Sequence, residues 1–216
     1  MPAIEIPSLI GFNSKVFRPA YAQQTSAIGT QGFVQTIDRT RPFWIAQYTT
    51  PGLTRERENE MLAFLDHLSG STNTFLAYDP RRQMPYAYQN MPVGSYPWGV
   101  VNVVGYDYAN STLDLDNLNV GAVITKGDYI SFQYNLAWYL FRSLETLTVD
   151  GSKAATVEVH PRPDVPGLSP GTAVAIRYQK AVCEMKQVGD PDISDSVDSL
   201  PVYKIQASQF TNRATS

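Results

Sequence analysis

Cysteine is almost absent from this chain of 216 residues, in which Cys183 is the single example. One cysteine cannot form a disulfide within the chain, and it cannot supply the several thiolates of a cysteine metal cluster. Such usage is typical of a protein that is assembled in a reducing cytoplasm. Because Cys183 lies in the strand-like run "AVCEM", we expect it to be half-buried in a β-strand.

Charge and long apolar runs are scarce as well. Charged residues make up 17% of the chain and the formal net charge is -3, so no general attraction to nucleic acid or to an anionic membrane is expected. No window approaches the length of a membrane-spanning apolar helix, and the first residues lack the basic and then apolar order of a signal peptide. We therefore expect neither a membrane span nor a signal peptide. The low charge instead indicates surface that is buried against partners.

Histidine, the commonest general acid or base, occurs only twice, as His67 and His160. Neither is spaced with a nucleophile and an orienting group, and no glycine-rich phosphate-binding motif is present. We therefore expect no enzyme activity, no catalytic residue, no cofactor and no metal site.

Tyrosine and proline are abundant, with 13 and 15 residues, which favours strands and shaped loops. Alternating apolar runs separated by glycine, proline and polar turns predict a mainly β protein: an antiparallel β-barrel or β-sandwich with one packed α-helix at about residues 54–69. The linker-like stretch "MPVGSYP" suggests a β module with the helix at residues 1–93 and a barrel or sandwich module at residues 94–216. The alternative is that both share one domain.

The helix prediction depends on its ends and on one apolar stripe. Thr54 is the expected N-cap, and Gly70 stands where a left-handed residue ends a helix. The stripe is formed by Met61, Phe64, Leu65 and Leu68.

Two polar stretches are candidate docking sites. The loop "DPRRQMPYAY" combines prolines, which limit its flexibility, with arginines that present fixed donors to an anion. Its candidate interface residues are Asp79, Pro80, Arg81, Arg82, Met84, Pro85, Tyr86 and Tyr88. The second stretch is predicted as an acidic loop, with Asp190, Asp192, Asp195 and Asp198 as candidate docking residues.

A crowd of aromatic residues offers an alternative function, because tyrosine and tryptophan can stack on saccharide rings. Displayed together, they would make a carbohydrate-binding module; otherwise they fill the core and pad a subunit interface. The residues are Tyr78, Tyr86, Tyr88, Tyr96, Trp98, Tyr106 and Tyr108.

Two longer stretches resemble a known class of proteins. "TRERENEMLAFLDHLSGSTNTFLAYDPRRQMPYAY" and "AVITKGDYISFQYNLAWYLFRSLETLTVDGSKAATVEVHPRP" lie within residues 54–163, about half of the chain. They are similar to segments of the minor tail and distal tail (tail-tip) structural proteins of tailed bacteriophages and related prophages.

The resemblance implies a β-barrel or β-sandwich virion subunit in a ring, typically sixfold, at the distal end of the tail. Its partners would be further copies of itself, the tail tube protein, the tail hub and the tape-measure protein, and it would be assembled in the cytoplasm of the host. A ring requires two different complementary faces on each copy. The loop at residues 79–88 would supply one such contact, with the acidic residues 190–198 as candidate partners.

Overall fold

The computed structural model describes residues 3–7, 10–25, 36–38, 41–92, 94–196 and 199–210. Within these ranges the chain forms seventeen strands, the helix α1 (Arg55–Leu68) and a 3-10 turn at Tyr86–Tyr88. The predicted mainly β fold with one helix and a barrel is confirmed. The strands are β1 (Ile4–Glu5), β2 (Asn13–Ala20), β3 (Gln23–Thr25), β4 (Thr36–Asp38), β5 (Phe43–Thr49), β6 (Thr74–Tyr78), β7 (Asn102–Asp107), β8 (Thr112–Asp116), β9 (Val123–Ile124), β10 (Tyr129–Tyr134), β11 (Ala137–Ser143), β12 (Leu147–Thr148), β13 (Ala155–His160), β14 (Val174–Arg177), β15 (Val182–Gln187), β16 (Asp192–Ser196) and β17 (Ser199–Gln209).

A seven-stranded sheet has the order β1-β6-β15-β17-β5-β2, and β16 also pairs with β17. Only the β1–β6 pairing in this sheet is parallel. Strand β5 follows the two-residue period of a half-buried strand, since Trp44, Ala46 and Tyr48 are buried whereas Gln47 is exposed. Cys183 is fully buried in β15, deeper than predicted, and burial raises the pKa of its thiol well above the ordinary value.

Helix α1 packs its apolar stripe into the core of this sheet. Met61, Phe64 and Leu68 are buried, and the Phe64 ring meets Phe75 of β6 edge-to-face at 5.6 Å between centroids. Thr54 is the N-cap as predicted, although its side chain makes no capping hydrogen bond. In the described ranges, no helix is both long and apolar enough to cross a bilayer.

The left-handed end of the helix begins one residue earlier than predicted. Ser69 already has a φ of 46°, and its N–H reaches the carbonyls of Leu65 and Asp66, while Gly70 follows with a φ of 66°. The serine hydroxyl also donates to the Asp66 carbonyl at 3.1 Å, which helps it occupy a conformation usually given to glycine.

A six-stranded barrel closes in the order β10-β11-β13-β8-β7-β14. Its interior is a second apolar core that contains Trp98, Leu113, Phe132 and Phe141. Alternate residues of β10 point in opposite directions: Ile130 and Phe132 face this core, whereas Tyr129 faces the core of the large sheet.

The barrel is inserted between two neighbouring strands of the large sheet. Tyr78 at the end of β6 is opposite Val182 at the start of β15, so the chain leaves the sheet, builds the barrel and returns beside its point of departure. The predicted division grouped residues 94–216 into one module, but β15 and β17 pair with β6 and β5. Residues after 181 therefore extend the first sheet. This was not foreseen, because a sequence pattern indicates strands but not which strands pair.

The barrel and the sheet are joined through the outer face of β10 and β11. Leu140 and Tyr129 belong to the same core as Trp44. The Trp44 indole Nε1 donates to the Leu140 carbonyl at 2.9 Å, and the Val182 N–H donates to the Ser131 hydroxyl at 3.0 Å. The two parts therefore share a continuous apolar contact.

Two local predictions are wrong. The stretch predicted as an acidic loop contains strand β16, which pairs antiparallel with β17; its polar composition is typical of an edge strand that resists further pairing. The "VDGSK" stretch is typical of a β-hairpin and does turn at Asp150, but β12 and β13 on its two sides pair with β9 and β8 instead of each other. The alternating run "GFVQTIDR" at residues 32–39 also predicts a strand, and the structure describes only residues 36–38 of it, which form β4.

His160 makes the free energy of unfolding depend on pH. The Tyr21 hydroxyl lies 2.7 Å from His160 Nε2, and burial together with Arg142 lowers the pKa of His160 below its ordinary value of 6.5. Below pH 6.5 the unfolded chain therefore binds more protons than the folded one, and the free energy of unfolding falls as the pH falls towards the folded pKa. We expect His160→Gln to flatten this slope in urea unfolding curves. Equal slopes in the variant and in the unaltered protein would contradict this assignment.

Candidate functional site

A groove of about 710 Å³ opens between the predicted docking loop and the turn that connects β9 to β10. One wall is formed by residues 80–91 and the other by residues 125–129, with Tyr178 contributing to the lining. Its volume falls in the range of protein ligand sites. Both walls are held by buried carboxylates.

Asp79 holds the first wall from below. Its side chain is buried, and Oδ1 accepts hydrogen bonds from the backbone N and the Nε of Arg81, each at 3.1 Å. Arg81 Nη2 adds a contact of 3.3 Å to Oδ2, and the Arg82 N–H donates to the Asp79 carbonyl at 3.0 Å. The hydrogen bond and charge of Asp79 raise the pKa of Arg81. The loop therefore leaves β6 in a fixed direction.

Asp128 joins the two walls and is only 5% exposed. Its Oδ1 accepts the Tyr86 N–H and its Oδ2 accepts the Thr125 N–H, both at 2.7 Å. Burial raises the pKa of Asp128, while these two hydrogen bonds and the charge of Arg82 oppose the rise. A single carboxylate thus binds both sides of the groove.

Arg82 and Gly127 meet where the walls approach each other. Arg82 Nη1 donates to the Gly127 carbonyl at 2.9 Å. Gly127 has a φ of 96°, and a Cβ at this position would lie 2.9 Å from Arg82 Nη1. Glycine is therefore favoured by the backbone conformation, and a Cβ here would also displace the end of the Arg82 side chain.

The accessible lining combines cations with apolar side chains. Arg81, Arg82 and Lys126 are exposed, and in the part of the chain that the structure describes neither Arg82 nor Lys126 forms an ion pair. The apolar part comes from Tyr86, which is 67% exposed, and Met91. Such a groove can bind an anionic group next to an apolar one.

Tyr129 connects the groove to the shared core. Its ring meets Phe17 and Trp44 edge-to-face, at 5.9 and 5.7 Å between centroids, and the Arg82 guanidinium lies 5.8 Å from its centroid. Burial, with a smaller contribution from Asp79, raises the pKa of Tyr129 to about 12. The hydroxyl therefore stays protonated at neutral pH.

The eight loop residues singled out from sequence take three different positions. Pro80, Arg81, Arg82, Met84 and Tyr86 line the groove. Asp79 and Pro85 are buried beneath it. Tyr88 packs against the barrel core instead, and its hydroxyl accepts the Val123 N–H at 2.8 Å.

The second wall was missed by sequence reasoning. The stretch "TKGD" at residues 125–128 falls inside a longer run that the sequence presents as one strand, but the structure divides that run into β9 and β10. The Lys-Gly-Asp order was the available turn signal. Nothing local indicates that this turn faces residues 80–91.

The acidic candidates lie elsewhere. Asp190 is exposed in the turn after β15, and Asp192 in β16 pairs with Lys204 at 2.9 Å. The side chain of Asp195 and the whole of Asp198 lie outside the described residues. Within the described ranges, no group of three or more His, Cys, Asp or Glu side chains is arranged to hold a metal ion.

The aromatic residues considered for sugar stacking are divided between core and surface. Trp98 is fully buried, donates its Nε1 hydrogen to the Val123 carbonyl at 2.9 Å and packs on Tyr178. It cannot stack on a saccharide without unfolding of the barrel. Tyr86, Tyr96 and Tyr108 are the exposed members, and Tyr108 is approached by the guanidinium groups of Arg41 and Arg162.

Comparison with known proteins adds no family to these observations. No protein-family model matches the chain, and no curated protein matches it.

Proposed function

We propose that this chain is a non-enzymatic structural protein of a tailed bacteriophage virion: a distal-tail or tail-tip ring subunit that joins the tail tube to the hub or baseplate. It assembles in the host cytoplasm with copies of itself, the tube protein, the tail hub and the tape-measure protein. The similarity of residues 54–88 and 122–163 to tail structural proteins is the basis of this identity. The barrel inserted in a β-sheet is compatible with it.

The groove is the structural observation that supports assembly with other subunits. Two buried carboxylates, Asp79 and Asp128, hold its walls, while Arg82, Tyr86 and Met91 project from them into solvent. A fixed surface loses little conformational entropy when it docks, so it suits a permanent contact between subunits. Exposed apolar side chains beside cations are then covered in the assembly.

Native mass spectrometry of the purified chain over a dilution series, with negative-stain electron microscopy, tests this proposal. We expect a closed oligomer, with six copies as the resemblance implies, and rings in projection. A chain that remains monomeric at every concentration, and that stays monomeric when tail tube and hub proteins are co-expressed, would count against the proposal.

A carbohydrate-binding module that contacts the host receptor is a second candidate, because Tyr86 and Tyr96 are 67% and 65% exposed. A glycan array distinguishes it from the first. Binding that is lost in Tyr96→Ala and Tyr86→Ala would support it, and an array without signal would remove it. Trp98→Ala is unsuitable here because Trp98 is a core residue.

A further inference from the structure

The groove and the acidic segment lie at opposite ends of one strand. Strand β15 starts at Val182, opposite Tyr78 and therefore beside the first residue of the groove loop. It ends at Gln187, three residues before Asp190. Six extended residues span roughly 20 Å, at about 3.3 Å each. The acidic segment of one chain therefore does not reach the groove of the same chain, but two different faces of this kind are what a head-to-tail contact requires.

The segment at residues 188–198 carries negative charges that complement the positive charges of the groove. Its sequence VGDPDISDSVD contains four aspartates and no basic residue. Asp190 and Asp192 are exposed, and Ile193 next to them is 49% exposed. The two carboxylates complement the Arg82 and Lys126 cations of the groove, while Ile193, the next residue of β16, points to the opposite face of that strand.

The ion pair between Asp192 and Lys204 does not prevent this use of Asp192. Both side chains are largely exposed, at 68% and 49%. Exposed pairs of this kind contribute little to stability, so the carboxylate can exchange its partner on docking. Asp190 forms no ion pair within the described residues.

We propose that the groove is a binding site for an acidic peptide segment, and that its occupant is the Asp190–Ile193 region of a neighbouring copy of this chain. The two carboxylates pair with Arg82 and Lys126, beside the apolar part of the lining. The inference rests on the proposed self-assembly and adds the chemistry of the contact. Repeated around a ring, it uses one groove and one acidic segment from every copy.

Fluorescence anisotropy with a labelled peptide of residues 188–198 tests the site directly. We expect saturable binding to the full chain that weakens as salt is added, because exposed charges are screened. Replacing Asp190→Asn and Asp192→Asn in the peptide leaves the protein unaltered, and we expect affinity at least about tenfold weaker. Lys126→Glu in the protein should weaken binding similarly, because it reverses one of the two charges that the aspartates meet. In the described structure the Lys126 side chain forms no ion pair, so the fold should be retained.

Matched controls separate a local effect from net charge. Arg57→Glu changes the charge of the protein as Lys126→Glu does, but lies on the exposed part of α1, so peptide affinity should be unchanged. The inference is overturned if peptide affinity is unchanged when the aspartates are replaced, or if Arg57→Glu weakens it as much as Lys126→Glu does. So does binding of a uronic-acid oligosaccharide in the groove without binding of the peptide.

Native mass spectrometry of the same samples keeps this inference apart from the proposed function. Rings that form although the peptide does not bind overturn the acidic contact and leave the ring subunit standing. Specific peptide binding by a chain that never forms a closed oligomer supports the site and contradicts the ring. Loss of both peptide binding and rings in Lys126→Glu supports both.

Discussion

Replacing Trp44 by alanine is expected to lower the free energy of unfolding by about 3–5 kcal/mol, the usual result of removing a fully buried large aromatic side chain. Trp44 packs on Phe17 and Tyr129, and it donates a hydrogen bond to Leu140 of the barrel. The variant therefore leaves a cavity and an unpaired carbonyl where the sheet meets the barrel. Urea unfolding followed by far-ultraviolet circular dichroism measures the loss.

The same variant tests whether the sheet and the barrel unfold together. After Trp44 has been removed, the remaining tryptophans are Trp98 in the barrel core and Trp138 on β11, so tryptophan fluorescence reports the barrel. We expect the fluorescence and circular dichroism transitions of Trp44→Ala to move together to lower urea. Trp138→Ala, on the same barrel strand as Leu140 but only half-buried, should cause a smaller shift. A barrel transition that stays where it is in the unaltered protein would contradict the shared core.

Replacing Asp128 by alanine is expected to cost about 3 kcal/mol, since two part-buried N–H groups lose a charged acceptor. These donors belong to Tyr86 and Thr125, one on each wall of the groove. The walls should therefore separate as well as lose stability. Hydrogen exchange at both amides, together with urea unfolding, measures the two effects.

Asp107→Ala is the matched control for Asp128→Ala. Asp107 also accepts two backbone N–H bonds, from Ala109 and Asn110, but it does so at an exposed hairpin turn where water replaces it. We expect a much smaller loss and no change in exchange at Tyr86 or Thr125. Equal losses in the two variants would show that burial of Asp128 is not what holds the groove.

Local sequence pattern predicted the elements of this fold better than their partners. Helix α1 was placed nearly residue by residue, because caps and a stripe at helical spacing are local signals. The return of β15 and β17 to the first sheet was not predicted, since pairing across more than a hundred residues leaves no periodic mark in either strand. Strand β16 was missed because an edge strand rich in aspartate resembles a solvated loop.

Only one wall of the groove was predicted, because contacts between distant segments leave no local signal in the sequence. Two arginines between prolines marked residues 79–88 from composition alone. The buried role of Asp79 and the bridge made by Asp128 depend on the fold, because Asp128 comes from a turn more than forty residues away. Composition left two alternatives open for Trp98, sugar stacking or core, and the structure places it in the core.

Mixing two single-face variants tests head-to-tail assembly most directly. One carries Arg82→Glu and Lys126→Glu in the groove, and the other carries Asp190→Asn and Asp192→Asn in the acidic segment. We predict that each alone is monomeric by native mass spectrometry. An equimolar mixture should form a one-to-one heterodimer and no ring, because one intact groove meets one intact acidic segment. Rings formed by either variant alone, or a mixture that stays monomeric while the unaltered chain forms rings, would contradict the account.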